Sequence, residues 1–351
     1  MVYEGLRMST SRAYIRPYLN IRDNLEVLIN SQVTKLLIDK ETVTATGVEY
    51  VDKSGNKHTI SARKEVILSA GAINSPQLLL LSGIGPKEHL EEMGIDTIVD
   101  LPGVGQNLQN HVSISIDYLM ATEENINTVT FDAVQEFIQN RTGNLTNTGL
   151  SSATMFVTSK YATDGVPDLQ YFFGGYQGKC TRTGSRNECM DTEQIGNCGV
   201  RRLGAVPTNV LTLSRGYMKL NSSDPLDYPL LYTGDLEEQQ DVDVLIDGLK
   251  FSIELTNTSS FKKYNITVDT TKMTGCEDYE FATDEYFECV IRNHTIPQNH
   301  QAGTCKMGPK EDTMAVLDKD LKIHGVNKLR VVDASFFPLN PNGNPTSVII
   351  M

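Results

Sequence analysis

The sequence predicts a chain of mixed α/β character, long enough at 351 residues for one large domain or two moderate ones. Three observations carry that prediction. Short strand-like segments over 24–68 feed a turn of small residues and then a helix. A helical apolar stripe covers about 235–256. Near the far end, Leu329, Arg330, Val331 and Val332 read as a buried strand running into Asp333.

In chain order, Asn24 to Asn30 and Val33 to Ile38 are rich in Val, Ile and Leu and predict strands. Val48 to Val51 and Lys57 to Ser61 flank Asp52-Lys53-Ser54-Gly55-Asn56, whose composition predicts a hairpin turn. Val66, Ile67 and Leu68 enter Ser69-Ala70-Gly71-Ala72, where small side chains allow a close backbone approach. Ser75 and Pro76 predict the N-cap and first-turn proline of a short helix over Gln77 to Leu81, with Gly83 just past its end. Residues 121–200 are polar and show few periodic runs. Val242, Leu245, Ile246, Leu249 and Ile253 share one helical face, and Asp284 to Arg292 predicts another helix.

Lys plus Arg total 31 and Asp plus Glu 44, a net charge of −13, which argues against nucleic acid or an anionic membrane as the main partner. No stretch reaches the roughly 18 apolar residues of a membrane helix. Six Asn-x-Ser/Thr sequons, at Asn140, Asn144, Asn221, Asn257, Asn265 and Asn293, point to a secretory lumen. Cys180, Cys189, Cys198, Cys276 and Cys289 fit disulfides of a secreted protein, with the pairing open. Cys305 is expected to be buried and free. Met1 to Arg16 has no apolar core of a signal peptide, and the chain stops inside the apolar run Val348 to Met351, so both ends read as cut. A signal peptide would then lie upstream.

Several chemistries are excluded by pattern. Gly83-Ile84-Gly85 and Gly103-Val104-Gly105 lack the flanking strand, helix and third Gly of a dinucleotide fingerprint. No phosphate-binding loop or G-x-S-x-G nucleophile elbow is present, which disfavours a hydrolase. The spacing of Cys276, Cys289, His294, His300 and Cys305 matches no zinc pattern. His58, His89, His294 and His324 have no supporting context and read as surface residues. His111 reads as structural.

Two segments remain. One is Ser69-Ala-Gly-Ala-Ile-Asn-Ser-Pro-Gln-Leu-Leu-Leu-Leu-Ser-Gly-Ile-Gly-Pro86, followed by Leu101-Pro-Gly-Val-Gly-Gln-Asn-Leu-Gln-Asn-His111. The other is His300-Gln-Ala-Gly-Thr-Cys-Lys-Met-Gly308, followed by Leu329 to Ser335 and Asn340-Pro-Asn-Gly-Asn-Pro-Thr346. They resemble the glucose–methanol–choline (GMC) flavin oxidoreductases, most closely the insect glucose-dehydrogenase-like branch. Arg7, Ser9, Thr10, Ala13, Tyr14, Pro17, Arg22, Asn24 and Leu25 follow the same family's order. The family's N-terminal Rossmann unit is absent.

The resemblance implies α/β plus α+β architecture. Residues 1–115 and 298–351 would form an incomplete FAD-binding domain, and 116–297 a substrate domain built on an antiparallel sheet. It implies FAD as cofactor and oxidation of an alcohol or sugar CH–OH group, with a quinone-like compound or O2 as electron acceptor. His300 would be the base, its ordinary pKa of about 6.5 being tunable to working pH. Asn344 cannot accept a proton and would hold the developing alkoxide. Ala70 and Gly71 would approach the cofactor through backbone, as would Asp333 and Ala334. The backbone of Val33 would meet the adenine, and Pro345 and Thr346 would start a helix near the flavin ring. The rival expectation is a truncated, flavin-free, catalytically silent product acting by interaction.

Overall fold

A computed structural model describes residues 2–121, 130–146, 153–177 and 200–351. The chain divides into two compact units. Residues 27–112, 210–241 and 297–351 form one; 1–26, 113–209 and 242–296 form the other. Two segments therefore group differently from the simple division expected at 115 and 298. Residues 1–26 belong with 113–209, and 210–241 belong with 27–112.

In the first unit, strands Gln32–Asp39, Thr44–Val51 and Lys57–Ser61 form an antiparallel sheet in that order. The Asp52–Asn56 turn closes the hairpin as expected. The Asp52 carboxylate accepts from the backbone N–H of Ser54 and Asn56 and sits 2.8 Å from His58 Nε2. Asn24 to Asn30, expected as a strand, forms none. Its apolar residues Val27, Leu28 and Ile29 are exposed, and Asn30 takes a positive φ of 53°. Strand propensity without a hydrogen-bonding neighbour does not make a strand.

Val66–Leu68 and Leu329–Val331 pair in parallel, Leu68 opposite Val331. Both strands therefore end at the same edge, one entering Ser69 to Gly71 and the other Asp333 and Ala334. Helix Gly71–Leu81 follows the first and buries Leu78, Leu79, Leu80 and Leu81. They pack with Leu36, Leu68, Ile84, Leu90, Cys305, Val316, Leu329 and Val331 into one core. The helix begins six residues before the expected start, and Ser75 and Pro76 lie inside it. Ser75 still acts as a cap of sorts: its hydroxyl accepts the N–H of Ala70, the residue preceding the helix. His89, expected at the surface, is buried, and its Nε2 accepts the Leu220 N–H at 3.0 Å.

In the second unit, five strands run antiparallel in the order Thr154–Val157, Leu169–Gln177, Val200–Asn209, Ile116–Ala121, Ile266–Val268. The apolar stripe predicted at 235–256 is realised as helix Gln239–Glu254. Tyr118 and Tyr171 donate their hydroxyls to the Ser252 and Gly248 carbonyls of this helix at 2.7 and 2.8 Å. Helix Asp284–His294 is capped by Thr283, whose hydroxyl accepts the Tyr286 N–H. Cys276 and Cys289 form a disulfide. Cys180, Cys189 and Cys198 lie outside the described residues. No helix among the described residues is long and apolar enough to cross a membrane.

Candidate active site around His300

The polar side chains of Asn107-Leu-Gln-Asn-His111 are turned on two segments, the one that carries His300 and the one around Pro338 and Asn340. Gln109 and Ala302 exchange both backbone N–H···O bonds at 3.0 Å, and the His111 carbonyl accepts the Gln298 N–H. Asn107 Nδ2 donates to the Gly303 carbonyl. Gln109 Nε2 donates to the Pro338 carbonyl, and its Oε1 accepts the Asn340 N–H. Asn110 Oδ1 accepts the His300 N–H at 2.8 Å, and Asn340 Nδ2 donates to the His300 carbonyl at 2.8 Å. The backbone of His300 is thus gripped at both ends by amide side chains.

Gly303 makes this approach possible. Its φ is +92°, and a Cβ there would stand 2.5 Å from the Asn107 carbonyl oxygen. Beyond it, the N–H groups of Gly303, Cys305 and Met307 donate to the carbonyls of Ala334, Ser335 and Phe336. Residues far apart in sequence are held as one block.

His300 Nε2 lies 3.4 Å from Asn344 Nδ2, so the two expected catalytic residues are brought together. The other ring nitrogen, Nδ1, lies 3.0 Å from Nδ1 of His111. His111 is fully buried, and burial, reinforced by His300 beside it, pulls its pKa down to about 3. Burial also lowers the pKa of His300. Both rings are therefore neutral at pH 7. His111 was expected to be structural. Its ring meets one 189 residues away. The clue available in sequence was the density of amide side chains just before it.

The Asp333 carboxylate accepts four hydrogen bonds, from Gly71 N, Ser75 Oγ, Ser335 N and Ser335 Oγ. That fills the roughly four lone-pair sites of a carboxylate. Its acid group is committed to tying the helix Gly71–Leu81 to the turn Ala334–Phe336, leaving only backbone for a ligand. Ala70 is exposed, and a Cβ built on Gly71 (φ +88°) would meet nothing within 4 Å. The N–H groups of both are taken, by Ser75 Oγ and Asp333 Oδ2. Pro345 and Thr346 begin the short helix Thr346–Ile350, as expected. Val33 lies in the antiparallel sheet opposite Tyr50, its half-buried side chain against the core.

Sequence profiles described as GMC oxidoreductase match residues 2–113 and 212–351. The chain belongs to the GMC oxidoreductase family. This GMC chain is 41% identical over 348 residues to glucose dehydrogenase [FAD, quinone] of Drosophila pseudoobscura, covering 99% of itself and 54% of that protein. It is 33% identical over 359 residues to an oxygen-dependent choline dehydrogenase of Staphylococcus saprophyticus, covering 59% of that relative. It thus spans little more than half the length of these curated relatives. Among solved structures, a formate oxidase variant of Aspergillus oryzae superposes with a TM-score of 0.82 over 99% of this GMC chain and 62% of the other, at 24% identity. That likeness supports the fold: mixed α/β content with antiparallel sheets.

Proposed function

We propose that the chain is the catalytic-site part of an FAD-dependent oxidoreductase acting on CH–OH groups of a small alcohol or sugar. One observation carries the reading. His300 and Asn344, far apart in sequence, meet at 3.4 Å, in a chain of the GMC oxidoreductase family. The residues fit a flavin. Gly71 offers bare backbone with open space where a side chain would stand, and the lone pairs of the Asp333 carboxylate are already taken by four hydrogen bonds. Ala70, Gly71, Asp333 and Ala334 would hold it by packing and backbone. Pro345 and Thr346 would set a helix start beside the ring, and Val33 would meet the adenine end.

When bound, FAD supplies the acceptor for the hydride of the carbinol C–H. His300, neutral at pH 7, takes the hydroxyl proton at Nε2. Asn344 Nδ2 donates a hydrogen bond to the oxygen as negative charge builds on it. A quinone-like compound or O2 would then receive the electrons; the relatives' names include both kinds, a quinone glucose dehydrogenase and an oxygen-dependent choline dehydrogenase.

No G-x-G-x-x-G motif occurs in the 351 residues. In this reading they contact the ring and ribityl end of the cofactor and, through Val33, its adenine, and the Rossmann phosphate-binding unit is not among them. Secretion is proposed on two further supports: Asn140, Asn221, Asn257, Asn265 and Asn293 are exposed, and a disulfide joins Cys276 to Cys289. The test is anaerobic mixing of the FAD-reconstituted protein with alcohols and sugars. Bleaching of the oxidised flavin is expected with at least one CH–OH donor. A protein that binds FAD but takes no electrons from any of them overturns the proposal.

A further inference from the structure

Asn344 Nδ2 carries hydrogens and has no lone pair to give, so at 3.4 Å from His300 Nε2 it is the donor. His300 Nε2 is then the acceptor. In a neutral ring the single hydrogen sits on Nδ1, which faces His111 Nδ1 at 3.0 Å. Two bare nitrogens would repel there, and two N–H groups would clash, so one donates and the other accepts. His111 Nδ1 must accept, and its own hydrogen is on Nε2, which is buried and has no hydrogen-bond partner.

We propose that His111 is a positioning residue for the reaction: by accepting the Nδ1 hydrogen of His300 it fixes the tautomer that leaves the lone pair on His300 Nε2, beside Asn344. The inference rests on the reading of His300 as the base. The proton balance is simple. The substrate hydroxyl gives one proton to His300 Nε2, the ring becomes a cation, and the Nδ1–H···Nδ1 bond to His111 becomes charge-assisted. His111 gains and loses no proton. Its full burial keeps it neutral, and only a neutral ring can accept. An unconstrained histidine would be free to carry its hydrogen on Nε2, which has no lone pair for a hydroxyl proton.

The test reads tautomers rather than turnover. The full chain has six histidines, so ring-15N labelling and long-range 1H–15N correlation give few signals. His111 and His300 signals are assigned from His111→Asn and His300→Gln spectra. The expected result is His300 protonated on Nδ1 and His111 on Nε2. His111→Leu, which has no acceptor, should move the His300 hydrogen to Nε2 and slow flavin reduction about 10²-fold, the low end of what a general base contributes. His111→Asn, whose amide oxygen can accept, should keep the Nδ1–H form; should the leucine variant fail to fold, the wild-type and asparagine spectra decide. A wild-type His300 protonated on Nε2, or an unchanged tautomer in His111→Leu, overturns the inference and leaves the oxidoreductase reading standing. The expected tautomers in a protein whose flavin no CH–OH donor reduces overturn that reading instead, and with it the role given to His111.

Discussion

The hydroxyl of Thr304 donates to the carbonyl of Ala72 at 2.5 Å. Pro76 is why that carbonyl is available: it stands four residues on and has no N–H to give, so the helix Gly71–Leu81 leaves one buried acceptor open. Thr304 fills the gap and so locks the His300 segment to the helix. Thr304→Val keeps the shape and removes the donor. It should destabilise the protein by about 1–3 kcal/mol, the cost of an unsatisfied buried group. Thr304→Ser should recover most of it. Urea midpoints at unchanged slope measure both; a valine variant as stable as wild type would mean the Ala72 carbonyl finds another partner.

On the proposed function, His300→Ala should lower flavin reduction by about 10²–10⁴-fold while flavin stays bound, since the site would lose its base and keep its packing surface. Asn344→Ala should cost less, because it removes a hydrogen bond to developing charge rather than the proton acceptor. Stopped-flow mixing with substrate compares them. A larger loss at Asn344 than at His300 would reverse the two roles.

Acid should weaken the fold through its buried histidines. The folded-state pKa values of His89, His111 and His300 are all lowered, chiefly by burial, that of His111 to about 3. The unfolded chain therefore binds more protons than the native one once pH drops below about 6.5. Stability is fully present above that pH and declines as pH falls toward the folded values, by at most about 1.4 kcal/mol per pH unit for each group. For His111 the window runs from about 6.5 down to about 3. Urea unfolding from pH 7.5 to pH 5 should show falling midpoints. His111→Asn should flatten the slope, and an equal slope in that variant would remove His111 as a contributor.

Local patterns were legible where a residue's neighbours in sequence decide its structure. The stripe Val242, Leu245, Ile246, Leu249 announces a helix because spacing alone puts these residues on one face. Asp52 announces its turn because it bonds residues two and four positions on. Errors arose where the deciding partner is remote. Ser75-Pro76 imitates a helix start, yet Asp333 and Thr304, more than 200 residues away, stabilise an earlier one. The contact of His111 with His300 spans 189 residues and has no mark in local spacing. The pairing of His300 with Asn344 came from family resemblance, since nothing in their spacing foretells the contact.

The described cysteines divide by environment, and their chemistry should follow. Cys305 is fully buried in the core, and burial pushes its thiol well above the ordinary range, so almost no thiolate exists at pH 7. It should resist alkylation in the native protein and react after urea. Cys276 and Cys289 should resist in both until a reductant opens their disulfide. That bond closes a short loop, its ends 13 residues apart, so Cys289→Ser should lower stability by about 3 kcal/mol, most of it through the freer unfolded chain. Differential alkylation with peptide mass mapping separates the three thiols. Native labelling of Cys305 at the rate of an open thiol would place it outside the core, and with it the segment that carries His300.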